Sequence, residues 1–329
     1  DVMGGDNAPM ELVAGAVHIT NLPVIENEGA EYATIALNLE RGVGYVGLHG
    51  TPEVHFPPAY PFSIYLVSRL VGDLALSGRI AALIFGSLAA LMAGLLAGRW
   101  YGLRVGLLAA ALTASAPLMI GASTAVLSET TYMACSLAGI LLIWEAFERK
   151  SAFGFAAAGA VMGVAHLTKP EVMIYATLLI LLRFLFARGE RSRLFTRIPF
   201  FFVLYVMVIA PHVFFLHTHT GKWMLEGKSG LNTAIAFRTS QGEPLDQACR
   251  ILGSDTQPPG LLLHPMEEVS RRSAVQQILP HPFALWVNVF NNIVPLARAM
   301  SRTFGYLFLF LAATGFFALL RRSRERFVF

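Results

Sequence analysis

Long apolar runs alternate with short polar connections along most of the chain. Seven runs have roughly the 20 mostly apolar residues that a helix needs to cross a bilayer. They lie at about 79–99, 103–122, 126–147, 152–168, 171–188, 198–217 and 303–320. A shorter apolar stretch, residues 59–74, is interrupted by Pro61, Arg69 and Asp73, which is typical of an interfacial helix. The pattern predicts an all-α polytopic membrane protein.

The composition narrows the class of protein further. Of the 329 residues, 55% are hydrophobic and 14% are charged, and the mean hydropathy is +0.57. Soluble domains carry about 25% charged residues, so a soluble globular protein is excluded. Disorder is excluded because it requires low hydrophobicity and high charge. The two cysteines, Cys135 and Cys249, indicate neither a disulfide framework nor a thiolate metal cluster.

Basic residues are concentrated on one side of the predicted spans. That side carries twelve of them: Arg99, Arg104, Arg149, Lys150, Arg188, Arg191, Arg193, Arg197, Arg321, Arg322, Arg324 and Arg326. The short connections on the opposite side, GASTAV and LTKPEV, carry only Lys169. The excess of basic residues predicts that the first side is cytoplasmic. In a bacterial inner membrane the C-terminus would then be cytoplasmic, and the polar loops would face the periplasm.

This orientation predicts the organisation of the chain. Residues 1–21 form an atypical N-terminus, where we expect a first transmembrane helix to be missing, because an outer N-terminus without a preceding span is unusual. The remaining segments are a first outer loop with an interfacial helix at 22–78, six spans within 79–217, a long outer loop with interfacial helices at 218–302, a last span at 303–320 and a basic cytoplasmic tail at 321–329.

The first outer loop contains the densest group of reactive side chains. Glu28 and Glu31 stand three residues apart at the start of a helical pattern that continues through Tyr32. This spacing places both carboxylates on one helical face. Gly42 and Gly44 end the helix, and the prolines after them lead into the interfacial helix. Solvated acids on an amphipathic helix explain the same pattern without any function.

Several motifs on the outer side resemble those of one enzyme family. They are the acid and tyrosine segment at 28–36, FPPAYP at 56–61, Arg79 entering a span, VLSETTY at 126–132, LTKPE at 167–171 and TGKWMLEGKSG at 220–230. Their order resembles that of the membrane-embedded GT-C glycosyltransferases of the family 39 type. These are polyprenyl-phosphate-sugar-dependent enzymes related to protein mannosyltransferases and to the aminoarabinose transferase of lipid A. The resemblance covers roughly residues 22–320.

The resemblance implies both a fold and an activity. The expected fold is a GT-C-like helical bundle with outer-side loops and interfacial helices. The expected activity is inverting transfer of a sugar from a polyprenyl-phosphate-linked donor to a periplasmic or cell-envelope acceptor. In that family an Asp in a first-loop Asp-Glu pair is the catalytic base. Glu28 occupies the matching position here, Gly29 replaces the second acid, and Glu31 is a substitute candidate for the base.

Such a reaction needs further polar groups. A carboxylate takes the proton of the attacking hydroxyl, and cations stabilise the charge left on the phosphate. The candidates for donor-phosphate binding are Lys169, Lys222 and Lys228, and those for substrate binding are Tyr32, His55 and Glu129. Structural roles remain open. Lys169 could snorkel to the interface or pair with Glu171, and Glu129 could be an acid favoured at a helix N-terminus.

No cofactor is required by the sequence. His49, Glu53 and His55 occur together, but their spacing differs from a helical two-histidine metal motif, and we predict no metal ligands. A divalent cation that bridges the lipid phosphate stays open as an alternative. The expected partners are the polyprenyl-phosphate sugar donor, membrane lipids and an unknown glycan, lipid or protein acceptor. We expect no nucleic-acid partner.

Residues 1–17 show a second, local resemblance. DVMGGDNAPMELVAGAV is similar to the N-terminus of bacterial phosphate acyltransferases. We interpret it as a chimeric or misassembled end and assign it no activity. Two other functions compete with glycosyl transfer for the whole chain. One is a lipid or sugar transporter or flippase, which sparse intramembrane charge disfavours, and the other is a catalytically silent membrane scaffold.

Overall fold

Apolar helices make up most of the described part of the chain. The computed structural model describes residues 27–48, 50–187 and 191–228, together with Phe290 and Ile293. Within these residues the regular elements are helical, and the only strand-like pairing is an isolated bridge between Val46 and Pro52. The predicted all-α class is confirmed. The predictions for residues 1–21, 303–320 and 321–329, and most of those for 218–302, lie outside the described residues.

The helices follow one another with short connections. They are α1 (Asn27–Glu40), α2 (Ala59–Val71), α3 (Leu74–Tyr101), α4 (Leu103–Ser115), α5 (Pro117–Thr124), α6 (Glu129–Arg149), α7 (Ala152–His166), α8 (Val172–Phe186), α9 (Arg191–Phe195) and α10 (Pro199–Thr220). Apart from residues 116–118, the described residues up to Lys228 belong to one compact unit. All side-chain contacts given below lie within that unit.

Several of these helices are suited to a membrane. The helices α3 and α6, and the segment Arg191–Thr220 that contains α10, are long and apolar enough to cross a bilayer. The consecutive helices α4 and α5 form a fourth candidate, bent by 58°. The apolar helices α7 and α8 have 15 residues each, or about 22 Å at 1.5 Å per residue. The described residues therefore form a multi-pass membrane protein.

Glycines allow pairs of helices to approach closely. A Cβ added at Gly106 of α4 would lie 2.7 Å from the carbonyl oxygen of Gly94 in α3. A Cβ added at Gly159 of α7 would overlap the carbonyl oxygen of Phe201 in α10. Within a bilayer, van der Waals packing between helices replaces the hydrophobic effect as the source of association. Small residues at these crossings therefore determine which helices can be neighbours.

The break between α2 and α3 has a local explanation. Gly72 ends α2 with a φ of 82°, and Asp73 accepts a 2.6 Å hydrogen bond from the backbone N–H of Leu76. A left-handed glycine followed by a capping carboxylate is a common way to end one helix and begin the next. The polar residues that interrupt the apolar stretch 59–74 thus separate a short helix from a long one.

The end of the bundle that the sequence predicts to be outer contains its own apolar cluster. Tyr32 and Ile35 of α1, Tyr60 and Ile64 of α2, and Val126 are buried together there. The Tyr60 hydroxyl donates a 3.0 Å hydrogen bond to the carbonyl oxygen of Gly78 in α3. This cluster holds α1 against the helical bundle, so that the polar residues of α1 and of the loop after it lie at one end of the molecule.

Candidate active site

Glu28 lies in the first turn of α1 and forms an ion pair with a distant residue. Its Oε1 accepts a 2.7 Å hydrogen bond from Nζ of Lys228, and Nζ also lies 4.6 Å from the centre of the Phe56 ring. The side chains of Glu28 and Lys228 are 42% and 28% exposed. The pair therefore combines a carboxylate, a cation and access from outside the protein.

The segment that carries Lys228 is fixed by two contacts. His166 is buried, and its Nε2–H donates a 3.2 Å hydrogen bond to the carbonyl oxygen of Leu225, while the Tyr205 hydroxyl donates to its Nδ1 at 2.7 Å. Gly227 packs so closely on the first outer loop that a Cβ there would overlap the carbonyl oxygen of Val54. Lys228 is thus placed by backbone packing as well as by its own ion pair.

Glu31 has a different environment from Glu28, although both lie on α1. It is 8% exposed, and its Oε1 accepts a 2.8 Å hydrogen bond from the backbone N–H of Leu48. Its neighbour is Glu53, which is 7% exposed. A Cβ at Gly47 would overlap Oε1 of Glu31 and lie 2.5 Å from Oε2 of Glu53. Only glycine leaves room for the two carboxyl groups at this point.

Glu53 organises the loop between α1 and α2. Its Oε1 accepts hydrogen bonds from the backbone N–H groups of His55 at 2.6 Å and Phe56 at 3.1 Å. Nδ1 of His55 lies 3.6 Å from the same oxygen. Because this oxygen binds the backbone N–H groups of two consecutive residues shortly before α2, Glu53 helps to fix the position of Phe56, whose ring contacts Lys228.

The pKa values of the two acids shift in opposite directions. Burial, followed by the hydrogen bond and the negative charge of Glu53, raises the pKa of Glu31 to about 8. Burial also acts to raise the pKa of Glu53, but the hydrogen bonds and charge of His55 and the hydrogen bond from Glu31 outweigh it, so this pKa lies below its usual range. At neutral pH Glu31 is therefore the protonated member and Glu53 the ionised one.

Glu129 and Lys169 form a second ion pair at the same end of the bundle. Oε1 of Glu129, at the start of α6, accepts a 2.8 Å hydrogen bond from Nζ of Lys169, which lies between α7 and α8. Lys169 thus pairs with Glu129 rather than with Glu171. Within the described part of the chain, the buried Oε2 of Glu129 has no hydrogen-bond partner.

Tyr32 lies between the two ion pairs. Its hydroxyl is 3.3 Å from Oγ of Ser128, the residue before Glu129, and its ring contacts the edges of Phe56 and Tyr60. Burial raises the pKa of the Tyr32 hydroxyl, and the negative charges of Glu28 and Glu129 add to this increase. The hydroxyl stays protonated and connects the two pairs through buried contacts.

The structure also places the remaining candidates. Lys222 is half-buried just after α10, where its backbone N–H donates to Oγ1 of Thr220 at 3.3 Å. His55 is buried in the first outer loop beside Glu53. Across the described ranges, no group of three or more His, Cys, Asp or Glu residues has a geometry that could hold a metal ion.

The structure therefore groups the predicted residues other than Lys222 around two ion pairs. Glu28, Glu31, Tyr32, His55 and Lys228 are connected through the first outer loop and its contacts. The second pair, Glu129 with Lys169, joins them through the hydrogen bond between Ser128 and Tyr32.

Sequence reasoning missed the role of Glu53. In the sequence this residue stands out only within HGTPEVH, a segment whose spacing differs from that of metal-binding motifs. The signal for its role is a single carboxylate in the otherwise apolar and proline-rich stretch that leads into α2. Nothing local pairs it with Glu31, because the contact depends on how the loop folds back over α1.

An all-α membrane bundle that gathers acids and lysines at one end matches what is expected of a glycosyltransferase of the GT-C type. A comparison with protein families supports this class. Residues 55–215 match the family described as dolichyl-phosphate-mannose-protein mannosyltransferase. The resemblance to GT-C glycosyltransferases is thereby confirmed. No curated protein and no solved structure matches the chain.

The matched segment covers only part of the candidate site. It begins at His55 and includes Glu129 and Lys169. Glu28 and Lys228 lie outside it. Their roles must therefore be inferred from the geometry of the site rather than from the family.

Proposed function

We propose that the protein is an inverting glycosyltransferase that moves a sugar from a polyprenyl-phosphate donor to a hydroxyl of a cell-envelope acceptor, on the periplasmic face of a bacterial inner membrane. The family match supports glycosyl transfer in general. The observation that carries the finer proposal is the partly exposed ion pair between Glu28 and Lys228, which provides a base beside a cation, as this reaction requires.

Glu28 is the proposed general base. The base must be ionised, reachable by the acceptor and free to accept a proton in the transition state. Glu28 is partly exposed and faces a cation, whereas Glu31 is buried, binds the backbone of Leu48 and holds a proton at neutral pH. Of the two candidates from the sequence, Glu28 alone meets these requirements.

In the proposed step one bond forms at the anomeric carbon, one bond breaks there, and one proton is transferred. The acceptor oxygen attacks the anomeric carbon while its proton passes to a carboxylate oxygen of Glu28. The bond between that carbon and the phosphate oxygen breaks, and its electron pair stays on the lipid phosphate. Lys228 is close enough to the base to stabilise the new phosphate charge, and such preorganised cations contribute strongly to transition-state stabilisation.

We assign the second ion pair to substrate binding. Lys169 provides a further cation for the donor phosphate, and Glu129, whose side chain is 38% exposed, provides a carboxylate for a sugar hydroxyl. Tyr32 contacts Ser128, the residue before Glu129, and His55 contacts Glu53. Both side chains therefore help to position the substrate-binding groups. Lys222 follows α10 on the segment that leads to Lys228, where it adds positive charge for an approaching lipid phosphate.

The experiment compares wild-type protein with E28Q in membranes. Both are given a mixed pool of polyprenyl-phosphate sugars and crude periplasmic lipid and polysaccharide as acceptor, and the release of free polyprenyl phosphate is measured together with sugar incorporation. We expect the wild type to catalyse both and E28Q to be slower by roughly 10²- to 10⁴-fold, the usual contribution of a general base. The same assay with a chelator tests dependence on a divalent cation.

The matched control is E40Q, an exposed acid at the other end of the same helix. It should retain wild-type activity. Equal activity of E28Q and wild type would show that the base is another group. Folded wild-type protein that releases no polyprenyl phosphate but moves sugar or lipid across vesicles would be a transporter instead.

A further inference from the structure

The buried pair of Glu31 and Glu53 has no part in the proposed chemical step. Two carboxyl groups converge over Gly47, and each also accepts backbone hydrogen bonds, from Leu48 for Glu31 and from His55 and Phe56 for Glu53. Two buried carboxylates at such a distance repel each other unless a proton or a cation lies between them. The pair therefore needs an explanation of its own.

Among the described residues, the charged and titratable groups near the pair include Glu28 and Tyr32 on α1, Tyr45 and His55 in the loop, Glu129 at the start of α6, and Lys228. His55 contacts Glu53, and Lys228 is paired with Glu28. Within the described residues, no cluster of side chains around the pair has the geometry of a metal site. A shared proton accounts for the close approach.

We propose that Glu31 and Glu53 are positioning residues that share one proton, and that the resulting carboxyl–carboxylate hydrogen bond fastens the first outer loop to α1 so that Phe56 and Lys228 are held beside Glu28. This assignment rests on the proposed function only where it concerns catalysis. The shared proton itself can be tested whatever the protein transfers.

The contacts connect the pair to the proposed base in a few steps. Glu31 belongs to the same helix as Glu28, and its carboxyl group accepts a hydrogen bond from the backbone N–H of Leu48 in the loop. Glu53 accepts a hydrogen bond from the backbone N–H of Phe56, whose ring contacts the ammonium group of Lys228. Lys228 then reaches Glu28. If the carboxyl pair separated, the ring and the ammonium group would lose their fixed position relative to the base.

Glutamine substitutions can show whether the two carboxyl groups share a proton or only fill space in the fold. In E31Q the amide oxygen can accept from Leu48 while the amide N–H₂ donates to Glu53, which imitates the protonated acid. In E53Q the amide oxygen can accept from His55 and Phe56 while its N–H₂ donates to Glu31. In the double variant E31Q/E53Q both oxygens are used by backbone N–H groups, so two N–H₂ groups face each other without an acceptor.

We therefore expect each single amide variant to keep most of the neutral-pH transfer rate. The double variant should lose on the order of tenfold to a hundredfold in kcat, the scale of a small misplacement of catalytic groups. In the wild type, kcat should also fall at alkaline pH, around the pKa of about 8 given for Glu31, because the shared proton is then removed. E31Q should lack this alkaline fall, and E40Q, the matched control, should keep it.

A spectroscopic measurement tests the proton without any assay of activity. At neutral pH, infrared difference spectra of wild-type protein should contain the carbonyl stretch of a buried carboxylic acid, which disappears as the pH rises. The band should be absent in E31Q and present in E28Q and E40Q. Because it requires no substrate, this result stands even if the wild type proves to transfer no sugar.

Three outcomes would overturn the assignment. One is the absence of the acid band from wild-type protein at neutral pH. Another is transfer lost in E31Q but kept in E28Q, which would make Glu31 the base. The last is activity lost on chelation and restored by a divalent cation without an acid band, which would assign the pair to a metal ion.

Discussion

The ammonium group of Lys228 contacts both a carboxylate and an aromatic ring, and each contact limits where its charge can lie. The ion pair with Glu28 places the ammonium group beside the proposed base, and a cation–π contact with the Phe56 ring holds it there. A lysine held in this way can neutralise a departing phosphate without first being reoriented. The contribution of the Lys228 charge can therefore be tested by a single substitution.

Replacing Lys228 with Met keeps most of the side chain's length and removes its charge. We expect K228M to lower kcat on the order of 10²-fold, because one preorganised group that stabilises the leaving phosphate is lost. The measurement is the release of polyprenyl phosphate at saturating donor. Arg41→Met, at an exposed cation just after α1, is the control and should have little effect. Equal rates for K228M and R41M would contradict the role of Lys228.

The protonation of Glu31 also affects stability, and the sign can be worked out. Its pKa in the folded protein is raised by burial and by Glu53, so the folded state binds this proton more tightly than the unfolded state does. The contribution of the protonated pair to stability is therefore lost as pH rises from the ordinary glutamate range to about 8. Glu53, whose pKa is lowered, acts in the opposite sense at acid pH.

At the scale of secondary-structure elements, close packing between helices depends on particular glycines. The crossing of α7 and α10 has no room for even one methyl group at Gly159, because the neighbouring atom is a backbone oxygen. A backbone atom cannot rotate away as a long side chain can. His166 and Tyr205 lie on the same two helices and hold the segment that carries Lys228, so this crossing also supports the site.

We predict that Gly159→Ala destabilises the protein by about 1–3 kcal/mol, the usual cost of forcing an extra group into a packed core. The measurement is the thermal unfolding midpoint in detergent. Gly121→Ala in α5 is the matched control, since nothing lies within 4 Å of its added Cβ. That control should be neutral or slightly stabilising. A loss of similar size in both variants would argue against tight packing at Gly159.

At the scale of the whole molecule, the two ion pairs of the site lie at the end of the bundle opposite the basic connections. Arg104 lies in the first turn of α4, just after the connection from α3, whereas Arg41 belongs to the first outer loop. Positively charged loops remain on the cytoplasmic side during insertion. We therefore predict that the candidate active site faces the periplasm.

Thiol labelling tests this orientation. In a variant with Cys135 and Cys249 replaced by Ser, we introduce Cys at Arg41 or at Arg104, both of which are exposed. A membrane-impermeant maleimide should label the Cys introduced at Arg41 in cells whose outer membrane is permeabilised, and the one at Arg104 only after the inner membrane is broken. The reverse pattern would place the site on the cytoplasmic side.

The membrane class could be predicted from the chain alone because it depends on local patterns. The resemblance to GT-C glycosyltransferases came from the order of several short motifs, and the orientation is a prediction from the distribution of basic residues. A run of about 20 apolar residues specifies a spanning helix, and basic residues beside it indicate its direction. Helical spacing likewise predicts that Glu28 and Glu31 share one face of α1. Short-range interactions along the backbone are sufficient for the helices and for this spacing.

The partners of those acids depend on contacts between residues that are far apart in the chain. Glu28 meets Lys228 only because Gly227 lets its segment pack on the loop at Val54, and Glu31 meets Glu53 only because Gly47 leaves space for both carboxyl groups. Glu31 is buried in the folded chain and keeps its proton at neutral pH. Glu28 stays partly exposed, as a general base must be. Desolvation and long-range packing arise only in the folded chain, so they separate two glutamates that look equivalent in the sequence.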